Sequence, residues 1–409
     1  MSSKLTLAWR SIWRNKKRTY ITLSSIVFAV IIATFMRGLQ LGSYDKMLYD
    51  AIRSTTGHIA LMDKSFWDNR TMDNSMELTP ELEQALDQDQ KIELWAPEIS
   101  GGCLASVGNN TRGVVVQGVD PDKKDAQIKF REKLIEGSYF EHHDQSIMIG
   151  KDLAAFLNVG VGDTVVLLGQ GYMGMTAAGI YPVKGIYDHP MAEFNRRMVL
   201  MPLAAAQYLF FLEGRVSTVN LVLNDADDIP LKTEFYRSKI DTATTEVRNW
   251  ESMNRDMLSA IESDNFFGRI MIGILYMVIG FGIFGTILMM TMERKREFSI
   301  MMAIGMQDYK VITQVILESL FIATIGAIVG LIISFPIVYF YSLNPIPVPE
   351  ESAQLYRDLN MEPVLSISSE PGYMVAQFGI VLIISLIASI FPLYNIMKFN
   401  IVDIIRGRQ

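Results

Sequence analysis

The sequence predicts a membrane protein with four transmembrane helices and a large α+β extracytoplasmic domain between helices 1 and 2. Three observations carry that reading. The 409-residue chain is half hydrophobic and its mean hydropathy is positive, so membrane spans are sought before soluble domains. Uncharged apolar runs at 270–292, 319–343 and 371–397 each exceed the roughly 20 residues needed to cross the hydrocarbon. A shorter run at 20–36, bounded by Arg18 and Arg37, spans as well once Arg37 snorkels to the far interface.

Taken in order, residues 1–19 form an amphipathic leader carrying Lys4, Arg10, Arg14, Lys16, Lys17 and Arg18 and no acid. The leader and the apolar run after it could be a cleaved signal peptide. The leader is too long for that, and residues 38–43 offer no small-x-small cleavage site, so 20–42 is read as a retained first span. Residues 43–265 form the external domain, 266–292 the second span, 293–314 a connecting segment and 315–343 the third span. Residues 344–370 form an external loop, 371–397 the fourth span and 398–409 a tail. The leader, the connecting segment with Arg294, Lys295, Arg296 and Lys310, and the tail with Lys398, Arg406 and Arg408 hold the basic residues near the span ends. By the positive-inside rule all three are cytoplasmic. The loop 344–370 sets Glu350, Glu351, Asp358, Glu362 and Glu370 against Arg357, which suits the outside. The net charge of −7 hides this division, and nucleic acid is not needed to explain the leader.

In the external domain, Val- and Ile-rich runs at 92–95, 113–119, 146–149, 164–168, 181–187, 197–201 and 217–223 read as strands. Helices are expected at 80–86, 151–157, 203–210 and 229–239, with a longer one from 249 towards the second span. Thr79 before Pro80 caps the first of these. A single cysteine, Cys103, excludes an intramolecular disulfide and reads as a buried small residue. The chain has no G-x-x-x-x-G-K-[ST], H-E-x-x-H or G-x-S-x-G motif and no paired Cys or His spacing. His142 and His143, beside Glu141 and Asp144, read as solvated rather than metal-binding. Gly169-Gln-Gly-Tyr-Met-Gly174 lacks the strand and helix context of a nucleotide fingerprint and reads as a flexible hairpin or lid.

The spans hold no ionisable group at mid-depth; Glu318 lies near the cytoplasmic end of the third. Ion and proton carriers normally need such a group, which argues against a secondary transporter. Gly326-Ala-Ile-Val-Gly330, and more loosely Gly282 and Gly285, have the spacing that lets helices approach.

The segment Glu293-Arg-Lys-Arg-Glu-Phe-Ser-Ile-Met-Met-Ala-Ile-Gly305 predicts a short amphipathic helix along the inner surface. Gly305 stops it and Asp308 caps the helix that follows. A positive-inside stop signal and a docking element for a soluble partner fit this segment equally well.

That segment resembles the one after the second span in FtsX-like, MacB-type permeases of ABC transporters, where it joins the coupling helix that contacts the ATPase. Leu7-Ala-Trp-Arg-Ser-Ile-Trp-Arg-Asn-Lys-Lys-Arg-Thr19 resembles the family's amphipathic entry to the first span. Gly57-His-Ile-Ala-Leu61, Ile149-Gly-Lys-Asp-Leu-Ala154 and Val161-Gly-Asp-Thr-Val165 are similar to its lipoprotein-releasing branch. The resemblance covers essentially the whole chain. It implies a dimer of permeases, homo- or heteromeric, served by two copies of a separate ABC ATPase. ATP and Mg would sit on that partner, with no cofactor bound by this chain. ATPase coupling is then expected from Glu293, Arg294, Lys295, Arg296, Glu297, Phe298 and Gly305.

The expected function is extraction of lipoproteins from the outer leaflet of a bacterial inner membrane for transfer to the outer membrane. The acyl chains would be held by Phe35, Met36, Leu39, Phe266, Phe267 and Ile270 at the outer ends of the first two spans. A periplasmic chaperone or outer-membrane partner would complete the path. The rival readings are a mechanotransmission subunit that activates an extracytoplasmic partner, and an exporter of a drug, peptide or toxin through an outer-membrane tube.

Overall fold

The computed structural model describes residues 9–10, 12–14, 16–241, 243–358 and 362–397. Lys4, Leu7, Ala8, Lys398, Arg406 and Arg408 lie outside the described residues. The chain forms two compact units, one from 1–46, 260–347 and 364–409, the other from 47–259 and 348–363.

Among the described residues, four helices are long and apolar enough to cross a membrane: Lys16–Ala51, Arg255–Glu293, Asp308–Leu343 and Pro371–Met397. The first three run past the apolar segments read from the sequence, because an uncharged stretch marks hydrocarbon depth while helical hydrogen bonding continues into polar residues. Gly326 and Gly330 of the third helix face the first. A Cβ on Gly326 would lie 2.7 Å from Ile26, and one on Gly330 would lie 2.8 Å from Val30. Here the small-residue spacing lets two backbones meet. A Cβ on Gly282 or Gly285 would meet nothing within 4 Å among the described residues, so the looser pair makes no such contact there. The third and fourth helices are joined by a hydrogen bond between Ser319 Oγ and Ser389 Oγ at 3.0 Å. In the leader, Thr19 Oγ1 donates to the Ile12 carbonyl at 2.6 Å, and Ile12 is buried. Trp9 and Trp13 meet edge to face at 5.9 Å, and Trp9 meets Phe321 of the third helix at 6.1 Å. Such aromatic rings favour the membrane interface.

The second unit is α+β. Its strands are β1 (Ile59–Asp63), β2 (Met76–Glu77), β3 (Ile92–Val107), β4 (Asn110–Val119), β5 (Leu134–Gly137) and β6 (Ile147–Gly150), followed by β7 (Thr164–Gln170), β8 (Thr176–Tyr187), β9 (Met198–Pro202), β10 (Arg215–Val216), β11 (Thr218–Leu223) and β12 (Thr245–Asn249). Ten of them form one sheet in the order β12-β1-β11-β3-β4-β9-β6-β8-β5, with β7 bridging β3 and β8; β2 and β10 pair apart. β5 and β12 lie at the edges and carry polar residues, so the apolar criterion missed them. β3 continues past Pro97, Gly101 and Gly102, which look like breaks in the sequence. At Gly101 a Cβ would come within 2.6 Å of the Phe210 ring, so this glycine serves packing.

The core of this unit lies between the sheet and its helices. Val116, Ile149, Val165, Leu167, Val199 and Phe210 are fully buried there. Thr79 accepts the Leu82 N–H at 3.3 Å, capping the helix Pro80–Asp87. The helix Pro121–Ile128, not anticipated from the sequence, buries Lys124, whose Nζ lies 2.7 Å from Glu98 Oε1 on β3. Cys103 is buried, and burial pushes its thiol up to about 12, so it is an inert core residue. Of residues 169–174, Gly169 and Gln170 end β7 and 171–174 lie in the β7–β8 turn. Asp73 Oδ1 accepts the Met173 N–H at 2.6 Å and holds the turn in place, with Met173 itself left-handed at φ 50°.

Candidate functional site

The segment after the second spanning helix forms a nine-residue helix, Lys295–Ala303. Gly305, at φ +101°, ends it in a conformation that side chains resist. The next helix begins at Asp308 with Gln307 as its N-cap and no side-chain capping bond. The Asp308 cap expected from the sequence is therefore not formed; the residue lies one position inside the helix.

The short helix is fastened inward. Phe298 is fully buried among Val311, Val315 and Ile287, and Arg294 lies 4.7 Å above its ring. Arg294 Nη1 donates to Glu318 Oε2 at 2.6 Å, with side chains only 14% and 5% exposed, and Gln314 Nε2 donates to Glu318 Oε1 at 3.0 Å. The isolated acid of the third helix thus has a fixed cationic partner. Glu297 is reached by Arg294 Nε at 3.3 Å and takes both its oxygens to Arg14 Nη2 at 2.7 Å. The Arg14 hydrogen bond, followed by that from Arg294, holds the Glu297 carboxyl below its ordinary pKa.

What faces outward is different. Arg296 and Glu293 are exposed, as are Ile304 at 83%, Tyr309 and Ile300, while Lys295 is half-buried. Ile304 and Tyr309 escaped the sequence reading because helical periodicity does not say which apolar residues of so short a segment are left uncovered. Arg14 and Glu318 read in the sequence as a leader charge and an isolated acid, and their pairings with Glu297 and Arg294 escaped it because those partners lie 283 and 24 residues away.

At the other ends of the first two spanning helices, Met36, Phe266, Phe267 and Ile270 are exposed. Phe35 and Leu39 instead turn inward, packing with Val338, Ile367 and Tyr373, and the Phe35 ring meets Tyr341 at 6.3 Å. The six expected cleft residues therefore divide into an exposed four and an inward-facing two. The second spanning helix is the least covered of the four.

Four spanning helices, an α+β domain between the first and second, and an internally fastened connecting helix define a multi-pass membrane protein of the permease type. Residues 19–232 match the MacB-like periplasmic core domain and residues 269–401 the FtsX-like permease C-terminal family. The chain belongs to the FtsX-like ABC-transporter permeases that carry a MacB-like periplasmic core domain. It is 22% identical over 335 residues to the lipoprotein-releasing system transmembrane protein LolC of Neisseria meningitidis serogroup B, covering 78% of this chain and 77% of that one. It is 26% identical to the macrolide export ATP-binding/permease protein MacB of Hyphomonas neptunium, covering 83% of this chain and 53% of the relative. The pyoverdine export ATP-binding/permease protein PvdT of Pseudomonas syringae pv. tomato is 23% identical, with 80% and 50% covered. The chain thus spans about half the length of these ATP-binding relatives. Among solved structures it is similar to the periplasmic region of MacB from Actinobacillus actinomycetemcomitans, with a TM-score of 0.36 and 13% identity over 52% of this chain and 97% of that one.

Proposed function

We propose that the chain is the membrane subunit of an ATP-driven transporter of a bacterial inner membrane and extracts lipid-anchored proteins from the outer leaflet. In this reading both termini and the helix Lys295–Ala303 are cytoplasmic, and the α+β domain is periplasmic. A separate ABC ATPase in two copies docks on the exposed apolar tip at Ile300, Ile304 and Tyr309, beside Glu293 and Arg296. Phe298, Arg294 and Glu297 seat the short helix from behind, Lys295 flanks them, and Gly305 sets its end. A second permease, identical or related, covers part of the open second spanning helix.

The observation that carries the reading is that an exposed apolar tip stands at the end of a short helix that is seated within the chain by the Arg14–Glu297 and Arg294–Glu318 ion pairs. A segment serving only as a stop signal has no need of a short helix seated by two ion pairs. The lipoprotein branch is favoured because the match to LolC runs along most of both chains. Met36, Phe266, Phe267 and Ile270 supply an apolar surface for acyl chains, with Phe35 and Leu39 supporting it from within. Withdrawing acyl chains from a bilayer costs about 0.8 kcal/mol per CH₂, so a coupled energy source is required. The chain itself binds no cofactor in this reading, and a periplasmic chaperone receives the cargo.

The test is depletion of the protein followed by fractionation of the two membranes. Accumulation of lipoproteins in the inner membrane is expected, and normal sorting would defeat the proposal. The second reading, an exporter, is favoured by the 26% identity to MacB; it predicts normal sorting with altered sensitivity to an exported compound.

A further inference from the structure

Arg37 lies within the first spanning helix, where a guanidinium cannot shed its charge and needs a counter-charge. The chain gives it neutral partners. Arg37 Nη1 donates to Gln40 Oε1 at 2.7 Å and to Asn265 Oδ1 at 2.9 Å. On the second spanning helix, Arg269 Nε donates to the Asn265 main-chain carbonyl at 3.3 Å. Two guanidinium groups therefore flank one asparagine. Among the described residues neither has a carboxylate within ion-pair distance, and Arg37 Nε and Nη2 make no recorded bond. The neighbouring acid, Asp264, is already engaged: its Oδ2 accepts from Tyr44 Oη at 2.5 Å, and that hydroxyl accepts from Gln40 Nε2 at 2.8 Å.

The arrangement is held tightly. A Cβ on Gly268 would lie 1.9 Å from Gln40 Nε2, so glycine is what lets Gln40 reach between the helices. Phe266, Phe267, Ile270 and Met36, chain neighbours of Asn265, Arg269 and Arg37, are exposed, which sets apolar side chains on the same stretches of helix as the two charges. A phosphate offers the negative charge and the oxygen acceptors that guanidinium groups recognise, and the exposed apolar residues fit the acyl chains attached to it. We propose that Arg37 and Arg269 bind the phosphate of an anionic phospholipid between the outer ends of the first and second spanning helices. The location in the outer leaflet rests on the proposed topology; the binding itself does not depend on an ATPase or on any cargo. In the transport cycle such a lipid would occupy the cleft until an acylated cargo displaces it.

The test uses the full chain, with any co-purifying subunits, in a neutral detergent, exposed separately to phosphatidylglycerol, to diacylglycerol with the same acyl chains and to inorganic phosphate. Native mass spectrometry reads what is retained. Retention of phosphatidylglycerol at least roughly tenfold above diacylglycerol is expected, as is a comparable loss in R37Q/R269Q. R269Q alone, at an exposed position, is expected to lower retention while leaving the melting temperature unchanged, which separates loss of binding from loss of fold. Equal retention of diacylglycerol, or undiminished phosphatidylglycerol in the double variant, would overturn the proposal. Inorganic phosphate bound as well as the lipid would overturn the assignment to a lipid. Failure to co-purify an ATPase would count against the proposed function and leave this result intact.

Discussion

The guanidinium of Arg294 and the carboxylate of Glu318 meet at 2.6 Å with almost no exposure, joining the root of the connecting helix to the third spanning helix. Breaking such a pair from one side strands a buried charge, whereas replacing both partners with apolar residues removes two desolvation costs together. Arg294→Met or Glu318→Met alone is therefore expected to lower stability by about 3–5 kcal/mol. Arg294→Met/Glu318→Met together is expected to restore most of it. Melting in detergent is the measurement, and equal damage from single and double variants would show that the pair does not act as a unit.

Phe298 and Ile304 lie on one short helical segment but are expected to behave oppositely. Phe298 is fully buried and Ile304 is 83% exposed. Phe298→Ala should cost about 3–5 kcal/mol through the cavity it leaves. Ile304→Asp should leave stability within about 0.5 kcal/mol of the parent while abolishing co-purification of the ATPase. A docking-competent Ile304→Asp variant would remove the apolar tip from the proposed contact.

Gly330 has room for no side chain, since its Cβ would lie 2.8 Å from Val30 and 3.2 Å from the Val27 carbonyl. Gly330→Val is expected to cost at least about 1–3 kcal/mol by forcing the first and third helices apart. Gly282→Ala, with nothing nearby, should be neutral in the isolated chain. Should Gly282→Ala instead disturb pairing of two permeases in a cross-linking assay, the open face would be identified as their contact.

His189 supplies a pH dependence. It is buried between Phe194, stacked at 4.2 Å, and Phe130, and its Nδ1 accepts the Met191 N–H at 3.1 Å. Burial, with Lys133 and Lys124 adding to it, pushes its pKa down from 6.5 to about 3. Between those values the unfolded chain holds the proton and the folded chain does not, so folded stability rises with pH. The contribution is complete above the unfolded pKa and is lost as pH falls, with a slope of about 1.4 kcal/mol per pH unit. His189→Asn keeps an acceptor near the Nδ1 position and cannot titrate. Denaturant unfolding at several values between pH 6.5 and 4 should show a flatter slope in the variant.

Much of the architecture was legible because it follows from local rules. The uncharged runs, the Thr79 cap, the buried Cys103, the Gly305 stop and the contact made by Gly326 and Gly330 each depend on residue type and near spacing. The edge strands β5 and β12 were not legible, since an edge in water needs no apolar run. The long course of β3 was hidden by Pro97 and two glycines whose tolerance is decided by the strands and rings opposite them.

By itself the sequence determined that this chain has four segments long and apolar enough to cross a membrane and that it carries a large α+β domain between the first two, because hydrophobic length and periodicity act locally. Only the tertiary structure decided that Phe298 faces the core while Ile304 is left exposed, that Arg294 and Arg14 reach Glu318 and Glu297, and that Arg37 meets Asn265. Those outcomes depend on which distant side chain arrives to neutralise a charge or cover an apolar surface. For Arg14 with Glu297 and Arg37 with Asn265 the chain must close over 283 and 228 residues, and no short window of the sequence contains that.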